Sequence, residues 1–576
     1  MRVTYPEAEF NFIDVTALAD STAMSTSIKD FAEPALFLED IRMKEYGTME
    51  LNQFILDGSR AIFPSQGAQD VPYWSDDMSD GEGCFAVPPT LEIRFSEAHS
   101  SVGITLHFSG DIPETVVITW YTLYGTRLES AEFHPDAQTY FCSHNVQNYG
   151  KLTFGFPATA WPMRYVKMDY IEYGKLWRLS RDNIKSASVY EEVDVTSAIL
   201  SINTADIEIV DAAGEFSLSE QKGLWGSLQK EQAVHLLEYV DGSPVDCGTF
   251  YLDDWSSQKS LVKFSMIDLI GVIDKTNFYR GKVYSQEKAG AIIASIMASC
   301  GVQDYYVEDT VAEILLSGWL GIQSHRAALQ QVAFACGAVA DCSRAAGIRV
   351  YKPDRYVSHT IGPERKFRGS KISLDEYISD VSVAYTGYRL ADESRQISKN
   401  ILPAGISRIE FSSPYLAGSV SVSAGAVREA ATNYVVVEMD QEGECLISGR
   451  KYEAVENTYT ASQRWTEAGE VRKVKEYRGC TLLDAEKAKA AAERLLSHYQ
   501  MRQLVEMRYV NEGEAVGNWC DIAMADGGQA TTSIISQTLD LTGGNLAAVK
   551  CRGYSRNTTD FYFAGQELYA GEGGII

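Results

Sequence analysis

The sequence predicts a mainly β protein with α+β parts: a jelly-roll β-sandwich, then β-barrel domains, with a small helical α/β domain among them. Three observations predict it. Short runs of β-branched and aromatic residues, alternating with polar ones, recur along most of the chain and are divided by Gly and Asp turn signals. Three segments carry helical periodicity together with start and stop signals. The composition, 45% hydrophobic and 22% charged over 576 residues, is ordinary for globular domains, about four of them at about 150 residues each.

Residues 1–34 form an arm: Phe10, Phe12 and Val15 alternate with polar neighbours as in a strand, and ADSTAMSTS then reads as a polar connector. Over 35–178 the runs LEIRF, SVGITLHF, TVVITWYT, KLTFGF and RYVKMDYIEY, separated by SGD, LYG and EYG, predict the sandwich. Over 179–275 the runs ASVYEEV, ADIEIVD, AVHLLEYV, CGTFYLDDW and SLVKFSMID predict the first barrel domain.

The helical α/β domain is placed at 276–375. In its first helix Ser285 caps the start, Ile292, Ile293, Ile296, Met297 and Cys300 share a face, and Gly301 ends it. In the second, Ser324 is the cap and His325 opens the first turn, while Leu329, Val332, Ala333 and Cys336 recur at helical spacing. A hairpin follows Gly337, with Ala340 and Cys342 on one side, so the two nearby cysteines belong to different elements and are expected reduced and buried. Residues 376–576 return to strands around one long helix, 481–502, with Thr481 and Asp484 as a capping box and Ala488, Ala492, Leu495, Leu496 and Tyr499 as its apolar face. The final GEGGII reads as a loose tip.

A net charge of −27 opposes binding to phosphate backbones and anionic lipid, and the basic stretches RKVKEYR (472–478) and RKFR (365–368) are short, flanked by acids and read as solvated surface. No sequence-specific nucleic-acid contact and no transmembrane segment are expected, since no run approaches ~18 apolar residues. Arg2, Glu7 and Glu9 interrupt any signal-peptide pattern, so the chain is expected to be made and kept in the cytosol, or released from there without secretion, and its ten scattered cysteines lack a disulfide framework and are expected as buried free thiols.

The sequence offers no catalytic residues by motif. The eight histidines lack HxxxH or HExxH spacing, the Cys142/His144 pair is isolated, and GxSxG, GxxxxGK[ST] and GxGxxG are absent. In WSDDMSDGEGCF (74–85), Asp76, Asp80 and Gly81 fit positions of an EF-hand loop, but Met78 and Val87 offer no oxygen ligand. A looser calcium cage from Asp76, Asp77 or Asp80 with carbonyls is a candidate there; no other cofactor is expected. Tyr73, Trp74, Asp76 and Asp77 combine an aromatic face with polar groups, the chemistry of a carbohydrate contact.

Two blocks resemble known families. MELNQFILDGSRAIFP, PPTLEIRFSE, VVITWYTLYGTRLESAEFHP and WPMRYVKMDYIEYG resemble the discoidin or galactose-binding-like sandwich of tail proteins from phages and prophages, without the cysteine pair of secreted discoidin domains. Residues 179–576 resemble baseplate-hub and tail-associated proteins, in the order FYLDDW, VKFSMIDLIGVIDK, LSGWLGIQSHRAALQQVAFACGAVADCSRAAGIRVY, ISDVSVAYTGY and DAEKAKAAAERLLSHYQMR. The resemblance implies a non-enzymatic, homotrimeric hub at a virion tail tip, assembled in the bacterial host cytoplasm. Its implied partners are distal tail, tail-tube, tape-measure and tip or spike proteins, with a host cell-surface glycan as a further candidate. The second reading is a carbohydrate-active protein, glycan-binding or glycan-cleaving, at the bacterial surface; among the 78 acidic residues sequence cannot show which two would stand at catalytic separation.

Overall fold

Alternating side chains build the smaller of two units, which holds residues 9–178 and 218–232. The computed structural model describes residues 3–39, 43–55, 57–61, 71–174, 176–212, 216, 228, 230–463, 471–524 and 528–556. It is mainly β, 53% strand and 12% helix. In the smaller unit two long strands, Thr90–Phe108 and Thr139–Thr159, pair antiparallel along their length, with register shifts at Arg94/His99 and Ser101/Gly103. Such bulges bend a strand enough to serve two layers. A side chain at Gly103 would place its Cβ 2.3 Å from the Cys142 carbonyl, so this bend admits glycine alone. Pro113–Tyr121 and Arg127–Phe133 extend the sheet on one side, Lys167–Glu172 and Tyr73–Trp74 on the other. Val116, Ile118 and Trp120 recur at period two and meet Leu152, Phe154 and Phe156 in the core.

The arm departs from its expected form. After strand Thr4–Asn11, whose residues 4–8 belong to the larger unit, Asp14 caps a helix, Val15–Asp20, by accepting from Thr16 N and Ala17 N. The stretch expected as connector then supplies strand Thr22–Met24, which pairs with Arg94, Ile93 and Glu92. His99 lies between the two helix-end carboxylates, 3.2 Å from Asp14 and 3.0 Å from Asp20.

The larger unit holds residues 1–8, 179–217 and 233–576. Its main sheet runs Lys371–Leu374, Gln503–Val510, Leu546–Arg556, Gln529–Asp540, Ile184–Glu192, Thr204–Val210, Leu261–Ile267, Ser243–Gln258 and Ala233–Val240. The join between Ile184–Glu192 and Gln529–Asp540 sets Ser188 opposite Asp540 and Glu192 opposite Ser536. Strand Leu261–Ile267 buries Val262, Phe264 and Met266 and turns Lys263 and Ser265 outward, the pattern of a half-buried strand.

Among the described residues, five helices pack on a common core in this unit: Leu269–Ile273, Ala289–Cys300, Asp309–Ala312, His325–Cys336 and Ala485–Tyr499. Ser324 caps His325–Cys336 by accepting from Ala327 N, and Gly337 closes it at φ 62°. Leu329, Val332, Ala333 and Cys336 are buried, and Val339–Asp341 pairs with Ile348–Tyr351 as the expected hairpin. Two starts differ. Ser285 lies in strand Val283–Lys288, so its helix begins at Ala289; Thr481 turns its hydroxyl to the Trp319 carbonyl, leaving Asp484 to cap Ala485–Tyr499 through Lys487 N.

A long ribbon completes the unit, Asp380–Leu402 paired with Gly443–Ser462. At one end it packs on a sheet of Gly405–Glu410, Tyr434–Met439 and Ala426–Ala430 through Leu402, Val435, Val437, Cys445 and Ile447. Seven cysteines, Cys336 and Cys342 among them, are buried, Cys300 and Cys480 are intermediate, and Cys84 departs from the expected burial by being exposed. The GEGGII tip lies outside the described residues, as do Leu56 and residues 62–64 of MELNQFILDGSRAIFP.

Candidate functional site

The residues singled out by sequence in the smaller unit divide between core and surface. Trp74 is 1% exposed and packs edge-on to Phe31 at 5.4 Å, beside Tyr46 and Tyr165, with Lys167 Nζ 4.5 Å above its ring. Tyr73 is equally buried, against Phe156, and burial pushes its phenol pKa up. Turning an indole out of such a site costs roughly 4–6 kcal/mol at ~25 cal/mol per Å² over 150–250 Å². A few sugar contacts do not offset that, so the aromatic face expected at Tyr73 and Trp74 is a packing face.

Asp77 is exposed and Asp76 half-buried. Asp76 Oδ1 accepts from Asp77 N at 2.9 Å, and its carbonyl accepts from the Lys29 ammonium. Asp80 is turned onto its own loop, Oδ1 accepting from Glu82 N at 2.8 Å and Cys84 N at 2.9 Å; these amides hold its carboxyl below the usual range. Among the described residues no three His, Cys, Asp or Glu side chains cluster as metal ligands. An aromatic that the sequence reading passed over lies beside this loop. Trp161 is 63% exposed, and the Thr159 hydroxyl lies 2.7 Å from both Ser79 Oγ and the Trp161 carbonyl. Its signal was its place in WPMRYVKMDYIEYG, just before a strand.

The larger unit contains a cleft of about 510 Å³. Val193, Val195, Met501, Trp519 and Ile535 form its apolar floor, and six cations converge on it: Lys352, Arg355, Lys475, Arg494, Lys550 and Arg552. Three carboxylates face them, Glu192, Asp194 and Asp354. Arg494, on helix Ala485–Tyr499, donates to the Val195 and Thr196 carbonyls, and Arg552 pairs with Asp375. Burial, and then the charges of Arg552, Arg494 and Arg355, push the His498 imidazole down to about 4, despite the opposing charge of Asp194. His498 is therefore neutral at physiological pH, and the cleft is locally cationic in a chain of net −27.

The basic stretch 472–478 divides here. Arg472, Lys473 and Arg478 pair with Asp380, Glu376 and Glu476 as a solvated face would, whereas Lys475 and Tyr477 line the cleft. The Tyr477 hydroxyl meets that of Tyr499. His325, in the first turn of its helix, is a core histidine 2% exposed, with Nδ1 at the Thr276 carbonyl and Nε2 at Ser299 Oγ. Cys142 is buried in the sandwich, while His144 pairs with Glu129 at 2.6 Å.

No family model matches the chain, and no curated protein does. Among solved structures it is similar to a tail protein from Neisseria meningitidis MC58, at 9% identity and TM-score 0.41, over 66% of this chain and 93% of that one. It is also similar to the 43 kDa tail protein of prophage MuSo2 from Shewanella oneidensis, at 10% identity and TM-score 0.38, over 66% and 95%. A third is prophage tail protein gp18 from Listeria monocytogenes EGD-e, at 8% identity and TM-score 0.37, over 65% and 91%.

Proposed function

We propose that the chain is a structural, non-enzymatic subunit of a phage or phage-like tail: a homotrimeric hub that closes the tail tube and organises its tip, with residues 35–178 as an accessory module. The observation that carries this reading is the ordered resemblance over residues 179–576 to hub and tail-associated proteins. Superpositions at TM-scores of 0.41 and below add no weight to it. The surface of the larger unit suits such a role. Its ribbon and the adjoining sheet expose Ile401, Ile406 and Val455 at 74%, 71% and 60%, apolar side chains that neighbouring subunits would cover. Distal tail, tail-tube, tape-measure and tip or spike proteins are the proposed neighbours, and the virion tail tip the proposed location.

We extend the proposal to a glycan contact on the accessory module at Asp76, Asp77 and the exposed Trp161, whose carbonyl is tied through the Thr159 hydroxyl to Ser79 of the loop that carries the two aspartates. The hub reading is tested by light scattering on the purified chain. A mass near three times 63.7 kDa is expected, and a stable monomer at high concentration overturns the trimer.

A further inference from the structure

We infer that the cationic cleft of the larger unit is a binding site for a small amphiphilic anion, a carboxylate or phosphate carried on an apolar body. Three observations converge. First, its volume of about 510 Å³ lies within the roughly 300–1,000 Å³ of small-ligand sites, which combine an apolar lining with a few charged groups. Val195, Met501 and Ile535 keep partial exposure there and Ile199 is 63% exposed, so the apolar lining is open to a ligand rather than closed on itself.

Second, most of its cations lack an anion. Arg494 is half-buried, and its guanidinium donates to the neutral carbonyls of Val195, Thr196 and Phe334, with no carboxylate paired to it among the described residues. Arg355 donates to the Ser497 hydroxyl at 3.4 Å, and no ion pair among the described residues engages Arg355, Lys352, Lys475 or Lys550. A charge drawn away from water is stabilised most by a partner of opposite sign, so an arriving anion gains more here than at an exposed lysine. Third, the acids of the cleft are committed elsewhere. Asp194 accepts from Thr196 N and Ile199 N, Asp354 from Tyr356 N, and Glu192 from the Tyr190 hydroxyl. Six cations against three carboxylates leave the cleft positive in a chain of net −27. The floor alone would take a neutral molecule and the cations alone a bare ion; together they select a ligand that carries both characters. The site belongs to the single chain and does not depend on assembly into a tail.

The test is a fluorescence titration of the full chain with anilinonaphthalene sulfonate, an aromatic anion that brightens in apolar surroundings. Saturable binding is expected, with displacement by decanoate, by naphthyl phosphate, or by both; the one that competes better identifies the body as alkyl or aryl. Inorganic phosphate and decanol each offer half of that chemistry and are expected to compete about tenfold more weakly or worse, and equal competition by either overturns the amphiphile. Affinity for the probe is expected to fall about tenfold in the double variant Arg355→Glu, Lys475→Glu, to persist in Lys475→Arg, and to weaken when salt rises from about 0.05 to about 0.5 M, where the screening length shrinks about threefold. Both reversed residues are exposed, so folding survives the change, and the salt series on the unaltered chain needs no variant. Displacement by polyglutamate but by neither small anion assigns the cleft to an acidic peptide and overturns the small-ligand site. Absent binding, or binding that charge reversal and salt leave unchanged, overturns it as well.

Discussion

Asp268 is 1% exposed beneath helix Leu269–Ile273, which it caps by accepting from Gly271 N at 3.0 Å while its other oxygen accepts from Asn203 N at 2.9 Å. Burial pushes its carboxyl from 3.8 up to about 7, with the Asp341 charge adding to the rise and the two amides and Arg326 opposing it. The sign of the consequence is definite. Between pH 3.8 and about 7 the folded chain holds a proton here that the unfolded chain has released, so stability from this group is full below that window and falls as pH rises through it. Two pH units of the window lie between pH 5 and pH 8, which at 1.36 kcal/mol per unit is about 3 kcal/mol. Asp268→Asn keeps the side-chain shape and removes the titration, and the one accepted hydrogen bond that its amide nitrogen cannot replace is lost equally at every pH. Hydrogen exchange of the 325–336 amides, compared between wild type and variant at the same pH so that intrinsic rates cancel, reads the difference. The wild type is expected to lose about 3 kcal/mol of protection between pH 5 and pH 8 relative to the variant. Parallel pH dependence in the two proteins would refute a carboxyl kept neutral by burial.

Thiol titration of the folded chain with a disulfide reagent is expected to show one fast phase, from Cys84, which Cys84→Ser removes. Cys336, pushed up to about 12 by burial, and Cys342, pushed well up for the same reason, react slowly, and rapid labelling of either would contradict the packing described. On a glycan array, any binding by the full chain is expected to vanish in Trp161→Ala and Asp77→Ala but to survive Tyr73→Phe; an array with no binding to the wild type removes the glycan contact and leaves the hub reading intact.

Local signals were legible wherever the interaction is local. Ser324 reaches only to Ala327 N, and Leu329, Val332 and Cys336 bury themselves by helical spacing alone, so the sequence shows both. Ser285 and Thr481 look equally good as caps, but each is claimed from outside: Ser285 by a strand pairing with Leu315–Trp319, Thr481 by the Trp319 carbonyl. Tertiary competition of that kind leaves no mark in a short window. The loop at 74–80 was legible as a turn, not as a site, because Trp74 and Trp161 have the same residue type and opposite exposures, 1% and 63%. The cleft was hidden for a different reason. Its cations come from 352–355, 475, 494 and 550–552, so each segment looks like ordinary solvated surface until the fold assembles them.

The join between Ile184–Glu192 and Gln529–Asp540 also sets a clock on synthesis. Gln537 Nε2 donates to Glu191 Oε2 across 346 residues, and at translation rates of about 5–20 residues per second the earlier strand waits roughly 20–70 s for its neighbour. Throughout that interval one edge of the nascent sheet presents unpaired amides and carbonyls, a template for wrong pairing. A ribosome that stalls before the last strands therefore releases a chain with an adhesive edge, and the yield of this protein in the cell depends on how well that edge is shielded until its neighbour is made.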